Sequence, residues 1–435
     1  MRDEPELLTR ILDLVSDYHD RTHAPEPFMP GVSRVKYAGR SFDARELQAG
    51  VASVLEFWLS AGPRAAELEA RFQALFGARG ALLVNSGSSA NLLMIAALQS
   101  ETLERPLRPG DEVITPALTF PTTLTPIVQH QLVPVFVDAR PGEYNIRADD
   151  VEAALSPRTR AIFVPHTLGI PCDMTALSRL ARERGLFLIE DCCDAIGARW
   201  NDRGVGTFGE MASASFYPAH HMTMGEGGLV VVNEPTLVRP AMSLRDWGRD
   251  CWCGPGESNA CGKRFDWQLG DLPQGYDHKY IYSELGYNLK ITDVQAAIGL
   301  AQLDKLDHFV QVRQRNAAFY LRELAGLEEH LVLPVVPDAA VPSWYAFPLT
   351  CREHVDRRAL VQWLEAGNIE TRQLFAGNVL RQPAFRGIRH RVHGDLAGTD
   401  EVMHKGFFIG VYPGITPQMQ AYVVARFKEF FEHRR

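Results

Sequence analysis

Residues 81–100, ALLVNSGSSANLLMIAALQS, join an apolar strand-like run to a helical run through a turn of small polar residues. Helical stretches such as DMTALSRLARERG alternate with further strand-sized apolar runs, which are DEVITP, VPVFVD, AIFVPH, LFLIED, SASFYP and LVVV. Such alternation is typical of α/β proteins, and strands that are apolar throughout are typical of a sheet covered on both faces. The sequence therefore predicts an α/β fold with a large, mostly parallel sheet.

The length of the chain predicts more than one domain. A single hydrophobic core stops growing at about 250–300 residues, and this chain has 435. We predict an N-terminal arm over residues 1–45, a large domain over residues 46–309 and a smaller domain over residues 310–435. Residues 251–283 are rich in glycine, cysteine and aromatic residues without a clear period, which predicts a long functional loop in the large domain.

Charge and hydropathy exclude several classes of protein. Lys plus Arg number 45 against 53 Asp plus Glu, a formal net charge of −8, and no basic stripe is present, so nucleic acid is not an expected partner. The first residues are charged and helical in period, without the apolar segment of a secretory signal. The apolar runs are far shorter than the roughly 20 residues that cross a bilayer. We therefore expect a soluble, cytoplasmic protein that does not associate with membranes.

Two features predict a ligand at the edge of the sheet. Gly87 and Ser88 lie in the turn that opens a helix, where free N–H groups and the helix dipole favour a phosphate. An ordinary helix cap would use the same residue types, so this turn leaves both interpretations open. Asp191 ends the apolar run LFLIED, a position from which a carboxylate can face a ligand at the strand ends.

Four motifs together give a more specific interpretation. SGSSAN, IEDCCDAIG, SASFYPAHHMTMGEGG and GYNLKITDVQAA occur in this order at residues 86–91, 189–197, 213–228 and 286–297. They resemble the sugar aminotransferases of the DegT/DnrJ/EryC1/StrS family, and the resemblance covers nearly the whole chain. It implies a fold-type I, pyridoxal-phosphate-dependent aminotransferase-like fold with a large sheet domain and a smaller C-terminal α+β domain.

The resemblance also implies the contacts of the cofactor. Asp191 takes the position of the aspartate that pairs with the pyridine nitrogen, so the ring can act as an electron sink. The remaining ring and phosphate contacts within one chain fall on four residues, Gly87, Ser88, Phe120 and Ser215. Asn288 takes the position of a residue that reaches the phosphate from the neighbouring subunit. A homodimer with shared active sites follows.

Two residues depart from the aminotransferases. The family reads S-F-x-x-x-K around its cofactor lysine, and here the motif begins at Ser215 and ends in His220. Imidazole cannot bond covalently to pyridoxal phosphate, so the resemblance implies that the protein uses pyridoxamine phosphate and that His220 is the catalytic base. Asp194 replaces the usual His or Gln, and we predict that it tunes the cofactor; the alternative is a surface or capping carboxylate. His221 is interpreted as structural.

The cysteines give a third departure. After Cys193, 57 residues precede Cys251, one precedes Cys253 and seven precede Cys261. The spacing matches neither zinc pairs nor common ferredoxin runs, and by itself it leaves open a soft-metal site or scattered reduced thiols. It resembles the 2Fe-2S motif of the CDP-4-keto-6-deoxyglucose 3-dehydrase subgroup, which implies these four as metal ligands. The other cysteines, Cys172, Cys192 and Cys351, are interpreted as structural.

The resemblance to this subgroup implies a reaction. The substrate would be a nucleotide-linked 4-keto-6-deoxyhexose, with CDP favoured and TDP as the alternative, which loses its C3 hydroxyl after condensing with pyridoxamine phosphate. Electrons would then arrive through the 2Fe-2S cluster from an NADH-dependent flavin iron–sulfur reductase. Two alternatives stay open: a cluster-free 3-dehydratase that renews its amine from glutamate, and a non-catalytic cofactor-binding regulator.

Overall fold

A large mixed sheet and a smaller antiparallel sheet organise the computed structural model, which describes residues 4–24, 26–254 and 256–432. The helices are α1 (Glu4–Thr22), α2 (Ala44–Glu56), α3 (Pro63–Phe76), α4 (Gly87–Leu98), α5 (Pro121–Gln129), α6 (Ala148–Ala153), α7 (Met174–Arg184), α8 (Pro235–Arg245), α9 (Asp293–Leu303), α10 (Leu306–Leu324), α11 (Arg357–Ala366), α12 (Ala397–Lys405) and α13 (Pro417–Glu432). The strands are β1 (Gly80–Val84), β2 (Glu112–Pro116), β3 (Val133–Val137), β4 (Thr159–Pro165), β5 (Phe187–Asp191), β6 (Arg199–Trp200), β7 (Arg203–Gly204), β8 (Met211–Ser215), β9 (Gly228–Val232), β10 (Leu331–Val332), β11 (Ala340–Val341), β12 (Ala346–Cys351), β13 (Arg391–Val392) and β14 (Gly406–Gly410).

The large sheet confirms the predicted α/β fold. Its strand order is β1-β9-β8-β5-β4-β2-β3-β13, and every neighbouring pair is parallel except the two that β9 makes with β1 and β8. The residues of β1, β2 and β3 are all buried, because helices cover both faces of the sheet. The continuous apolar runs of the sequence therefore correspond to strands without a solvent face.

Three parallel strands end at one edge of this sheet. β1 and β8 both pair antiparallel with β9 and so run in the same direction, and β5 pairs parallel with β8. The residues after β1, after β5 and after β8 therefore meet at the carboxyl edge, where α/β proteins gather ligands. Helix α4 begins there, with the side chain of Ser86 accepting a hydrogen bond from the Ser89 N–H.

The C-terminal part builds the smaller sheet, β10-β12-β14. Its apolar side chains share a core with α10, α11 and α13. The predicted boundary near residue 310 falls within α10, while β11 pairs with β6 and β13 pairs with β3 of the large sheet. The C-terminal segment therefore adds strands to the N-terminal sheets, and the division into domains stays a prediction.

The N-terminal arm packs against the C-terminal part. After α1, Val35 forms a parallel bridge with Ile369, and the Tyr37 N–H donates to Glu370. Residues 251–283 contain, where described, a single short helical turn at His278–Tyr280 and otherwise no regular helix or strand. Across the described ranges, no helix is both long and apolar enough to cross a membrane.

Glu112 links the last strand to the large sheet. It is fully buried at the start of β2, and its carboxylate accepts hydrogen bonds from Arg158 (2.7 Å), Ser156 (2.7 Å) and, in β13, Arg391 (2.7 Å). Burial alone would raise the pKa of Glu112, but the hydrogen bonds from Arg391, Ser156 and Arg158 lower it to about 2. The pKa is thus below its usual value, and the ionised carboxylate stabilises the fold above about pH 4.5, with that stability lost as the pH falls toward 2.

We therefore expect Glu112→Gln to lower the midpoint of urea unfolding more at pH 7 than at pH 3.5. The reason is that the parent has already lost part of this stabilisation at the lower pH. Glu101→Gln is the control, because Glu101 is an exposed partner of Arg108 and such surface pairs contribute about 0–1 kcal/mol. Equal losses at the two pH values would contradict the role of the Glu112 charge.

Candidate active site

A cavity of about 420 Å³ opens at the carboxyl edge of the large sheet. Eight of the predicted site residues line it, namely Gly87, Ser88, Phe120, Asp191, Cys193, Asp194, Ser215 and His220. The other four, Asn288, Cys251, Cys253 and Cys261, do not line it. The sheet topology thus joins residues more than 100 positions apart in the sequence.

One end of the cavity is a cradle at the start of α4. The first N–H groups of a helix have no partner within it, so those of Gly87 and Ser88 are available to an anion. A Cβ on Gly87 would lie 2.6 Å from the Cβ of Ser215 and 2.7 Å from the Sγ of Cys193. The absence of a side chain at Gly87 therefore lets the start of α4 pack directly against Ser215 and Cys193.

Asp191, at the end of β5, is held by four donors. Its Oδ2 accepts hydrogen bonds from Asn91 Nδ2 (2.8 Å) and Thr123 Oγ1 (2.8 Å). Its Oδ1 accepts from the Cys193 N–H (3.1 Å) and Ser213 Oγ (3.3 Å). These four hydrogen bonds satisfy the buried carboxylate and fix its position in the floor of the cavity.

His220 lies in the turn after β8 and faces a second carboxylate. Its Nε2 is 3.4 Å from Asp194 Oδ1, while its buried Nδ1 has no hydrogen-bond partner in the described structure. Burial raises the pKa of Asp194, and the hydrogen bond from His220 opposes that effect in part. One ring nitrogen of His220 therefore lies beside a carboxylate, and the other is enclosed by protein.

Arg313 fixes the backbone of this turn. Its guanidinium is buried and donates to the carbonyls of His220 (3.0 Å), Trp344 (3.1 Å) and Tyr345 (3.0 Å). Burial lowers the pKa of Arg313 to about 10. The neighbouring His221 is also buried and its Nε2 is 2.8 Å from the carbonyl of Ser343, which is consistent with the structural role predicted for it.

Phe120 and Asn288 lie at the periphery. Phe120 is half exposed at the cavity mouth, with its ring edge-to-face against Phe375 at a centroid distance of 6.0 Å. Asn288 is exposed, and its Oδ1 accepts a hydrogen bond from Lys290 Nζ (2.9 Å). Asn288 thus does not reach the cavity of its own chain, and its predicted role in a partner's site stays a prediction.

The four cysteines of the predicted metal motif lie in two places. Cys193 directly follows Asp191, and its Sγ is 3.7 Å from Ser213 Oγ in the wall of the active-site cavity. Cys251, Cys253 and Cys261 line a separate small cavity together with His278. The structure does not join Cys193 to the other three, because β5 and α4 hold it beside the cradle. All seven cysteines are free, and Cys172, Cys192 and Cys351 are buried.

Comparison with known proteins shows the family to which this chain belongs. Residues 41–428 match the DegT/DnrJ/EryC1/StrS aminotransferase family. The chain belongs to this family.

Relatives within the family are similar along their whole length. The chain is 48% identical over 428 residues to the lipopolysaccharide biosynthesis protein RfbH of Salmonella typhimurium, with 98% of each chain covered. It is 49% identical over 429 residues to the dTDP-4-dehydro-2,6-dideoxy-D-glucose 3-dehydratase of Saccharopolyspora spinosa, covering 98% of this chain and 92% of the relative. The structure of Escherichia coli GDP-4-keto-6-deoxy-D-mannose-3-dehydratase with bound hydrated PLP superposes with a TM-score of 0.82 at 27% identity, over 92% of this chain and 100% of that one.

Several cavity residues were not predicted from the sequence. Asn91 and Thr123 hold Asp191, and Arg372 and Gln373 line the opposite wall. Asn91 carried a usable signal, because it is a polar residue inside the apolar helix ANLLMIAAL. Arg372 and Gln373 carried none, since they come from the C-terminal part, and only tertiary packing brings them to the sheet edge.

We expect Gly87→Ala to destabilise the fold by about 1–3 kcal/mol, as overpacked sites generally do, because the added Cβ would overlap Ser215 and Cys193. Combining it with Cys193→Ala removes the sulfur, so the cost of Gly87→Ala should be smaller in that background. Urea unfolding measures both costs. Gly387→Ala is the control, because nothing lies within 4 Å of its Cβ position. The same cost in both backgrounds would show that Cys193 is not beside Gly87.

Proposed function

We propose that the chain is a nucleotide 4-keto-6-deoxyhexose 3-dehydrase that uses pyridoxamine phosphate to remove the C3 hydroxyl of its substrate. The observation that carries this proposal is the cavity lining. It contains His220 at the position of the family's cofactor lysine, and among its described residues there is no lysine. The names of the Saccharopolyspora and Escherichia relatives, both 3-dehydratases, support the same reaction.

The cavity fits the cofactor at both ends. At the start of α4, the N–H groups of Gly87 and Ser88 together with the nearby hydroxyl of Ser215 suit a phosphate. The fixed charge of Asp191 suits a protonated pyridine nitrogen. When bound, pyridoxamine phosphate supplies an amine that condenses with the substrate ketone and a ring that withdraws electrons.

His220 is then placed to move the proton. The imidazole of His220 lines the cavity, so it can accept a proton there and return it to the hydroxyl that leaves from C3. Asp194 at Nε2 stabilises the imidazolium that forms between these two steps. Arg313 donates to the His220 carbonyl and so fixes the backbone of the turn that carries this ring.

The three loop cysteines support a cluster-dependent enzyme. Cys251, Cys253 and Cys261 converge on one cavity. Together with Cys193 they would hold a 2Fe-2S cluster, which would supply electrons one at a time. We propose that an NADH-dependent flavin iron–sulfur reductase delivers them, which yields the 3-deoxygenated sugar. The alternative, a cluster-free 3-dehydratase, is supported by the structural similarity to the Escherichia enzyme with bound PLP. Iron and sulfide analysis of anaerobically purified protein separates the two.

We propose a homodimer in which Asn288 serves the partner's site. The last turn of α2 and the residues that follow it, 54–59, expose a row of apolar side chains, with Phe57 75% exposed, and Leu285 near Asn288 is 98% exposed. Apolar surface of this kind is usually covered by a partner.

We propose CDP as the nucleotide, and the dTDP-sugar named for the 49% identical relative supports TDP as the alternative. Turnover of matched CDP and TDP 4-keto-6-deoxyglucose decides between them.

We expect His220→Gln to bind pyridoxamine phosphate but to lose C3 dehydration by about 10²–10⁴-fold, the usual contribution of a general base. The measurement is loss of ¹⁸O from C3-labelled substrate, followed by mass spectrometry. His308→Gln is the control, because His308 is exposed on α10 away from the cavity. Dehydration at the parental rate in His220→Gln would refute the assignment of His220 as the base.

We expect Cys253→Ala to separate dehydration from reduction. Loss of one thiolate should strip the cluster, while His220 and the cofactor pocket lie in a different cavity and stay intact. The variant should still exchange the C3 oxygen with labelled water, yet form no 3-deoxy product with NADH and reductase. Ser258→Ala, an exposed change in the same loop, should leave both reactions unchanged. A normal product yield from a cluster-free variant would return these cysteines to the structural interpretation.

A further inference from the structure

Arg372 brings a permanent positive charge to the active-site cavity. Across the described ranges it is the sole arginine or lysine that lines this cavity, and its side chain is 44% exposed. Three of the other lining residues, Asp191, Asp194 and Glu226, are acidic and offer an anion no attraction. A guanidinium stays charged at any pH of interest, and its field is concentrated in a cleft. The anionic part of a substrate should therefore lie beside Arg372.

The guanidinium of Arg372 has donors that the protein does not use. Its Nη1 donates to the Thr371 carbonyl (2.7 Å), and its Nη2 lies 3.8 Å from Glu370 Oε2, beyond hydrogen-bond distance. Glu370 is instead bound by the N-terminal arm, since Arg34 Nε lies 2.6 Å from its Oε1 and the Tyr37 N–H donates to its Oε2 (3.2 Å). A guanidinium carries five N–H groups, so several remain for a ligand.

An aromatic ring and a strand-like contact hold Arg372 in place. Its guanidinium lies over the ring of Tyr37, 4.4 Å from the centroid, and that ring packs on Phe408 at a centroid distance of 5.9 Å. The backbone of Arg372 exchanges two hydrogen bonds with that of Phe408, of 3.1 and 2.7 Å. A cation over an aromatic face is stabilised there without losing its hydrogen-bond donors. The arm thus positions, through Tyr37, a cation that the C-terminal part supplies.

The cavity therefore offers two separate places for anions. The N–H groups at the start of α4 lie on one side, and Arg372 lies in the opposite wall. The first suits the phosphate of the cofactor, which leaves the second for the substrate. A nucleotide-linked sugar carries a diphosphate, and the planar fork of an arginine can bind two phosphate oxygens at once.

We infer that Arg372 binds the diphosphate of the nucleotide-linked sugar and that Tyr37 is a positioning residue for it. The inference rests on the proposed function and names the residue that recognises the charged part of its substrate. Because a diphosphate is common to CDP and TDP sugars, Arg372 should contribute equally to the binding of either. Discrimination between the two bases then falls to other contacts.

The test measures binding rather than turnover. Full-length protein loaded with pyridoxamine phosphate is titrated calorimetrically with CDP and with TDP. Arg372→Gln should bind the preferred diphosphate about 10–100-fold more weakly than the parent, as expected for lost hydrogen bonds to a charged group. Arg372→Lys, which keeps the charge but not the fork, should lie between the two. The affinity for pyridoxamine phosphate, measured on the cofactor-free proteins, should stay at the parental value in both variants.

Variants of Tyr37 test the positioning role. Tyr37→Leu removes the aromatic face and should weaken diphosphate binding by about 2–5-fold, whereas Tyr37→Phe keeps that face and should retain most of the affinity. In Arg372→Gln, the substitution Tyr37→Leu should cost nothing further, because the cation that the ring holds is absent. A full additional loss in that background would show that Tyr37 acts independently of Arg372.

Arg358→Gln is the matched control, because Arg358 is exposed on α11 and does not line the cavity. Parental affinity for the diphosphate in Arg372→Gln, or an equal loss of pyridoxamine phosphate in that variant, would overturn the inference while leaving the proposed function in place. A parent that binds neither CDP nor TDP would overturn the proposed substrate as well, so the two failures are distinguishable.

Discussion

The buried carboxylate of Asp191 is the interaction on which the arrangement of the site depends. A charge inside a protein is tolerated only when hydrogen bonds replace its water, and Asp191 obtains them from α4, α5, β8 and the turn after β5. Each donor ties one element to the end of β5. The cradle, the wall that carries Cys193 and the turn that carries His220 are positioned around this charge.

The two nitrogens of His220 have different surroundings, and that asymmetry distinguishes the site from a lysine-dependent one. Lysine offers a single flexible amine, whereas imidazole can be held by one nitrogen and react with the other. Asp194 lies beside one nitrogen of the ring, and Arg313 holds the backbone from which the ring projects. A base that is fixed in this way suits proton transfer over a short, defined distance.

The sequence predicted the strands and helices better than it predicted the contacts between segments that lie far apart in the chain. The strand and helix runs gave the mostly parallel sheet, because burial on both faces leaves a direct trace in hydropathy. Motif order placed Gly87, Asp191, Ser215 and His220 in one cavity. Cys193 and Cys251 line different cavities of one chain, since the intervening 57 residues include β8, β9 and α8, and their joint role as cluster ligands stays a prediction. The pairing of β13 with β3 likewise left no local signal.

The described lining of the cavity contains no lysine, so its occupant is held there by non-covalent contacts. A lysine would add a reversible imine to those contacts and so tighten the binding. Here occupancy follows mass action, and each tenfold rise in free cofactor above its dissociation constant adds about 1.4 kcal/mol to the stability of the folded state. The supply of vitamin B6 in the cell would then set both how much of this protein is active and how long it survives.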